Sequence, residues 1–268
     1  QLFEEGLVKN VADLYDLTPE QLLPLDRMAE KSVNNLIDGL IKSKEVPFAK
    51  VLFALGIRYV GETVAKTLVK HFKNQGYTTI SNNKITHLKR DIKDWDEEWY
   101  PYRKGWRDYQ SKENINLENN GQHGYAYENP DIDDAAYYDG KTANKSILDL
   151  KKLKANRKPF FMAVGFVKPH LPFNAPKKYW DLYKESEITL PKNIFFSESA
   201  PEIANHSWGE LRYYKDIPKK GQVSDAVAKK LIHGYYASVS YMDAQVGKVL
   251  KELKDLGLKD NTVVVLVG

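Results

Sequence analysis

The chain changes character near Phe72, and that change limits it to two folding units of different kinds rather than one continuous pattern. All five tryptophans, Trp95, Trp99, Trp106, Trp180 and Trp208, lie beyond it. Residues 1–72 hold 9 Lys/Arg against 10 Asp/Glu, and residues 73–268 hold 31 against 26. A chain of 268 residues has room for two domains, each with its own core. The expected division is therefore 1–72 and 73–268.

Composition removes several classes of function. There is no cysteine, so disulfides, thiolate metal sites and a cysteine nucleophile are excluded within these residues. No apolar run approaches the roughly 20 residues that span a bilayer, so no membrane partner is expected. A net charge of +4 is too small to name a nucleic acid as partner by itself. The opening Gln1-Leu2-Phe3-Glu4-Glu5-Gly6 reads as the middle of a helix, and Asn261–Gly268 as a buried strand cut off where a loop should follow.

Apolar residues recur at helical spacing through 11–17, 22–28, 33–41 and 48–55, so the first part is expected to be all-helical with short turns. Thr18-Pro19-Glu20-Gln21 has the form of a capped helix start, with Pro at the first helical position and Gln three residues after the Thr. Between Gly56 and Gly61 a tight hairpin would end one helix and begin the next at Glu62 or Thr63. Such a hairpin presents backbone N–H groups and a helix N-terminus to a phosphate. An ordinary turn in a helical bundle fits the same spacing.

The second part reads as α/β. A short strand is expected over 76–81, then a loop-rich stretch over 88–130. A helix capped by Asp139 or Thr142 should follow, then a buried strand from Pro159 to Val167. A long helix is expected over 224–256, with Met242, Val246, Val249, Leu250 and Leu253 on one face, and a closing strand over 262–267. Lys84, His87 and His170 stand just after strands, where an α/β sheet binds its ligands. A lysine and two histidines converging there can clamp a tetrahedral anion and donate a proton to a leaving oxygen. Each also has an ordinary reading, as a surface lysine or a hydrogen-bonded histidine. Asp131, Asp133 and Asp134 suggest calcium only weakly, and a solvated loop or helix cap suits them better.

Residues 1–72 resemble the helix-hairpin-helix domain of bacterial NAD-dependent DNA ligases. The likeness runs through Gly6–Tyr15, Leu25-Asp26-Arg27-Met28, Lys31-Ser32, Phe53–Arg58 and Val60-Gly61-Glu62-Thr63. It implies duplex DNA as partner, held by Gly56, Arg58, Gly61, Glu62, Thr63 and Lys66, with NAD as the cofactor of the intact family. Ala29 replaces the family's Gly, which would strain the first hairpin if that position needs positive φ. No Lys-x-Asp-Gly occurs in the chain, so the ligase adenylation lysine is lacking.

Residues 73–268 look like the interior of a type I sulfatase, of the iduronate-2-sulfatase group. The likeness rests on Asp133–Thr142, Pro159–Gly165, Lys168–Phe173 and Tyr235–Gly247. It implies an incomplete alkaline-phosphatase/sulfatase-like α/β sheet with flanking helices, preceded by the small all-α domain. It also implies that Lys84, His87 and His170 are remnants of a catalytic sulfate site, that the partner is a sulfated sugar, and that the intact family uses calcium. Asn83 stands for the family's Gly before Lys84, a mild change because Asn tolerates left-handed backbone. The formylglycine precursor, Cys or Ser in Cys/Ser-x-Pro-x-Arg, does not occur, and no calcium ligands are read. A joined pair of enzyme fragments without turnover is expected, with no cofactor retained. A ligase-like part implies the cytoplasm; a sulfatase-like part is often periplasmic or secreted.

Overall fold

The computed structural model describes residues 2–3, 5–8, 12–26, 28–43, 62–85, 95–101, 106–193, 195, 198–201, 204 and 208–267. They form two compact units, one of Gln1–Tyr59 with Thr262–Gly268, the other of Val60–Asn261.

The first unit is helical only in part: residues 23–26 are turns and a bend where the spacing predicts helix over 22–28, residues 2–3 and 5–6 are turns rather than the middle of a helix, and 48–55 lies outside the described residues. Its described helices are α1 (Pro19–Leu22) and α2 (Glu30–Ser43), with a 3₁₀ turn at Ala12–Asp16. The start of α1 is fixed as read: the Gln21 side chain accepts the Thr18 N–H at 3.0 Å. Leu17, Leu22 and Val33 are buried, and Leu2, Leu7, Leu14, Leu25, Met28, Leu36 and Ile37 pack against them. Ala29 is not in the left-handed region; its carbonyl accepts the N–H groups of Ser32 and Val33 and opens α2. The Gly-to-Ala change is therefore unstrained here.

The second unit holds the α/β fold. Helix α3 (Glu62–Asn74) leads into β1 (Thr78–Asn83). Strand β2 (Glu97–Trp99) and helix α4 (Lys112–Asn119) lie in the stretch expected to be loop-rich. There follow β3 (Tyr127–Glu128), α5 (Tyr138–Asn156), β4 (Phe160–Gly165), β5 (Phe173–Asn174), α6 (Lys177–Trp180) and α7 (Asp225–Asp255). The main sheet is parallel, in the order β2-β1-β4, with Ile80 opposite Glu97 and Asn83 opposite Gly165. A second parallel pair joins β3 to β5.

Two kinds of packing cover β1 and β4. Phe72 of α3 stacks on Phe161 of β4 at 4.7 Å between ring centres, and Trp95 stacks on Phe161 at 5.6 Å. The composition change read at Phe72 thus falls inside a helix that packs on the sheet. The interface of β1 with α5 is polar: the Asn82 amide donates to Ser146 Oγ at 3.1 Å and to Asp149 Oδ2 at 2.8 Å. Buried polar groups are stable only when paired in this way.

Three local readings change. The cap of α5 is Tyr137 rather than Asp139 or Thr142, because the Asp139 carboxylate is turned to another segment. The buried face of α7 is Gly234, Ala237, Ser238, Tyr241, Gln245 and Leu253, whereas Leu250 is exposed. Residues 262–267 form no ladder with any described strand, and Val263–Val267 are exposed. An apolar run becomes a strand only where a neighbour accepts its backbone bonds, and none of the described strands does so.

Candidate functional site

The two neighbouring strands β1 and β4 end together, at Asn83 and Gly165. Asn83 has φ of 69°, the left-handed backbone that Asn accepts more readily than most residues, and its Nδ2 donates to Thr142 Oγ1 at 2.7 Å. A Cβ on Gly165 would stand 2.0 Å from the carbonyl oxygen of Lys84. Only glycine lets the chain leaving β1 cross the end of β4 so closely. Lys84 therefore emerges at the carboxyl edge of the sheet, beside the loop that β4 feeds.

That loop runs from Val167 to Pro172 and contains two cis peptide bonds, Lys168–Pro169 and Leu171–Pro172. The carboxylate of Asp139 accepts the N–H groups of Val167 and Lys168, each at 2.9 Å. Lys168 is buried, and its Nζ donates to the carbonyls of His170, at 3.2 Å, and Pro172. The His170 ring is about one-third exposed, with Nδ1 2.7 Å from the Leu171 carbonyl oxygen and Nε2 3.6 Å from a Glu210 carboxylate oxygen.

Asp108 completes the group. It has φ of 51° and accepts the Tyr138 N–H at the start of α5 at 2.5 Å, while its other oxygen accepts from Gln110 Nε2 at 3.0 Å. Asp108, Asp139 and Lys168 line a small pocket with Trp106, Tyr138 and Tyr241. Burial pushes Asp108 up to about 7 and overrides the Tyr138 hydrogen bond and the charges of Lys141 and Lys168. Burial likewise pushes Asp139 up, opposed by its two amide donors and by Lys168 and Lys84. Lys168 is pushed down to about 8 by burial, against the pull of Asp139, Asp108 and Glu128. An edge of this kind, with a lysine and an imidazole over a parallel sheet, is chemically suited to a tetrahedral oxyanion.

Lys84 and His170 are brought to the same edge; His87 lies outside the described residues. So do Gly56, Arg58 and Gly61; Glu62, Thr63 and Lys66 are placed as backbone on the first turns of α3. None of Asp108, Asp139 and Lys168 is read from the sequence as a site residue, Asp139 being offered only as a helix cap. The last two lay within stretches that carried the resemblance, but Asp108 stands in an aperiodic run that gave no signal. Among the described residues, no three His, Asp or Glu side chains gather as a metal site. Asp134, the one buried member of the acidic trio, is held by Lys178 at 2.8 Å and Lys248 at 2.5 Å. With its oxygens paired to two lysines, Asp134 does not fit as a calcium ligand.

A parallel α/β sheet with a lysine and a histidine loop at its carboxyl edge gives the fold class, and comparison narrows it. Residues 61–268 match the profile of the Sulfatase family, and the chain belongs to that family over this range. It is 33% identical to the iduronate 2-sulfatase of Mus musculus over 216 residues, 74% of this chain and 38% of that protein. Against the iduronate 2-sulfatase of Homo sapiens the figure is 30% over the same extent. The first 73 or so residues are 68% identical to the DNA ligase of Flavobacterium psychrophilum, covering 27% of this chain and 11% of that protein. The chain therefore joins a DNA-ligase-like segment to a sulfatase-family segment that spans about two-fifths of its curated relatives. Residues 61 to about 73, most of α3, fall within both matches. No described helix is long and apolar enough to cross a membrane.

Proposed function

We propose that the sulfatase-family segment recognises a sulfated sugar at Lys84, His87 and His170 without completing the hydrolysis of the ester. The observation that supports this most is the shared end of β1 and β4, which sets Lys84 and the His170 loop on one edge. Lysine ammonium and imidazole N–H groups suit the three outer oxygens of a sulfate ester. Turnover in the family's manner needs a formylglycine, and the 268 residues contain neither cysteine nor Ser-x-Pro-x-Arg from which to make one. We place the change of parent at 72/73, inside α3, on the step in composition there.

Two measurements test this reading: hydrolysis of a chromogenic aryl sulfate, and calorimetric titration with inorganic sulfate. The expected result is no hydrolysis above the protein-free control, and sulfate binding that is lost in Lys84→Ala. Hydrolysis that disappears in Lys84→Ala would overturn the inactive part of the proposal. Sulfate affinity unchanged by that substitution would overturn the placement of the site.

The likeness of the first segment to DNA ligases supports a second activity, sequence-independent binding of duplex DNA through Gly56, Arg58, Gly61, Glu62, Thr63 and Lys66. Binding weaker than about 10⁻⁵ M and steeply dependent on salt is expected for so small a phosphate contact. This second activity calls for no NAD, and no Lys-x-Asp-Gly that could receive an adenylyl group occurs in these 268 residues.

A further inference from the structure

The loop carrying His170 is held from both sides by side chains outside the proposed sulfate contact. Asp139 is 2% exposed, and each of its oxygens takes one of two consecutive backbone N–H groups, at Val167 and Lys168. One carboxylate on two successive amides fixes both peptide planes where β4 gives way to the loop. Lys168 then reaches forward to the carbonyls of His170 and Pro172. The backbone is clamped just before and just after His170.

Asp139 is itself rigidly mounted. The next residue, Gly140, lies so close to the Asp134 carbonyl that a Cβ would come within 2.0 Å of it. The Gly140 N–H donates to Tyr241 Oη at 2.7 Å, and that hydroxyl donates to the Asp134 carbonyl at 2.9 Å. Capping does not account for the carboxylate. It sits one residue inside α5, whose cap is Tyr137, and its bonds go to a different segment. A fully buried carboxylate on a locked helix start, spending both oxygens on one loop, is a device for holding that loop in place.

We propose that Asp139 is the positioning residue of the oxyanion edge, orienting His170 through the amides of Val167 and Lys168, with Lys168 as its counter-charge and second clamp. The proposal rests on the reading of Lys84 and His170 as the sulfate contact. In Asp139→Asn one oxygen remains, and the new NH₂ group faces an N–H it cannot accept, so one of the two amides is released.

The test uses the full chain with ¹³C,¹⁵N-labelled histidine, titrated with inorganic sulfate as wild type, Asp139→Asn and Lys84→Ala. Asp139→Asn is expected to move the His170 ring resonances before any sulfate is added, and to weaken sulfate binding at least fivefold. Lys84→Ala is expected to weaken binding and leave the sulfate-free His170 resonances in place. His170 resonances and sulfate affinity both at wild-type values in Asp139→Asn would show a merely structural carboxylate and overturn the proposal. If wild type binds no sulfate, the binding reading fails alone, and the His170 resonances in Asp139→Asn still decide positioning. Should that variant not fold, amide exchange in wild type decides. Protection at Val167 and Lys168 supports the clamp, and exchange at open-loop rates overturns it.

Discussion

Asp108 makes the stability of the second unit depend on pH in a direction opposite to that of most acidic residues. Its carboxyl titrates near 7 in the folded chain against an ordinary 3.8, because burial disfavours the charge. Below pH 4 the group is neutral in both folded and unfolded chains. Between pH 4 and 7 the unfolded chain gives up the proton and the folded chain keeps it, so stability falls as pH rises, and the loss is complete above pH 7. At ~1.4 kcal/mol per pH unit the span amounts to roughly 4 kcal/mol, and the partial exposure of Asp108 reduces this to about 2–4. Asp108→Asn removes the titration and keeps the shape. Asn tolerates the φ of 51°, its oxygen can still accept the Tyr138 N–H, and the Gln110 amide can turn to accept from the new NH₂. The variant should therefore match wild type near pH 4 and exceed it by about 2–4 kcal/mol at pH 8. Urea unfolding followed by tryptophan fluorescence reads the right unit, since all five tryptophans lie after residue 72. Curves of wild type and variant that stay parallel from pH 4 to pH 8 would refute the reasoning.

Asp134 should behave in the opposite sense. Although burial opposes it, hydrogen bonds from Lys178, Lys248, Gln245 and Tyr179 hold its carboxyl down to about 2. Its contribution is present above pH 4 and is lost as pH falls through 2; Asp134→Ala, leaving those partners unmatched, should cost about 3 kcal/mol at neutral pH in the same urea assay. Gly165→Ala places a methyl group 2.0 Å from the Lys84 carbonyl, so a loss of about 3 kcal/mol or more is expected, together with loss of sulfate binding by calorimetry. A melting temperature within a degree of wild type would contradict that close approach. Gly61→Asp should abolish salt-dependent DNA retention in a fluorescence anisotropy titration; unchanged binding would remove the second hairpin as the contact. One alanine inserted after Lys73 rotates Val69 and Phe72 by about 100° away from the sheet and should unfold the second unit, whereas an insertion after Lys66 should leave it folded by circular dichroism.

Elements governed by a long repeating pattern were legible, and elements governed by pairing were not. Helix α7 was expected over 224–256 and runs from Asp225 to Asp255, because thirty residues of helical spacing leave little freedom. Its inner face was misread, since Tyr241 and Gln245 are buried by hydrogen bonds to the Asp134 network rather than by apolarity. Strand β1, Thr-Thr-Ile-Ser-Asn-Asn, hides its polar side chains against Ser146, Asp149 and Thr142, so hydropathy alone understates its burial. Lys84 and His170 could be proposed because each stands beside a distinctive stretch at a strand end. Asp139 accepts backbone N–H groups of a segment 28 and 29 residues further on, a contact that no local spacing encodes, and Lys168 reaches the carbonyls of His170 and Pro172 only because its own loop turns back on it. Asp108 depends on a left-handed residue in an irregular loop, which periodicity does not address at all.

With the join inside α3 as proposed, two unrelated parents can meet without a visible break. A helix satisfies its backbone hydrogen bonds internally, so a change of parent within it leaves no unpaired N–H or C=O at the join. What the second unit requires of α3 is a short apolar stripe facing the sheet. Val69, fully buried, and Phe72, stacked on Phe161, supply it within the last two turns. The hairpin reading places its requirements at the opposite end, at Gly61 and the first turn, where N–H groups would face a phosphate. The two demands fall on different turns of one helix and do not compete. A join in β1 or β4 would be far less tolerant, because a slip of one residue there would move Asn83 from Gly165 and carry Lys84 off the edge it shares with His170.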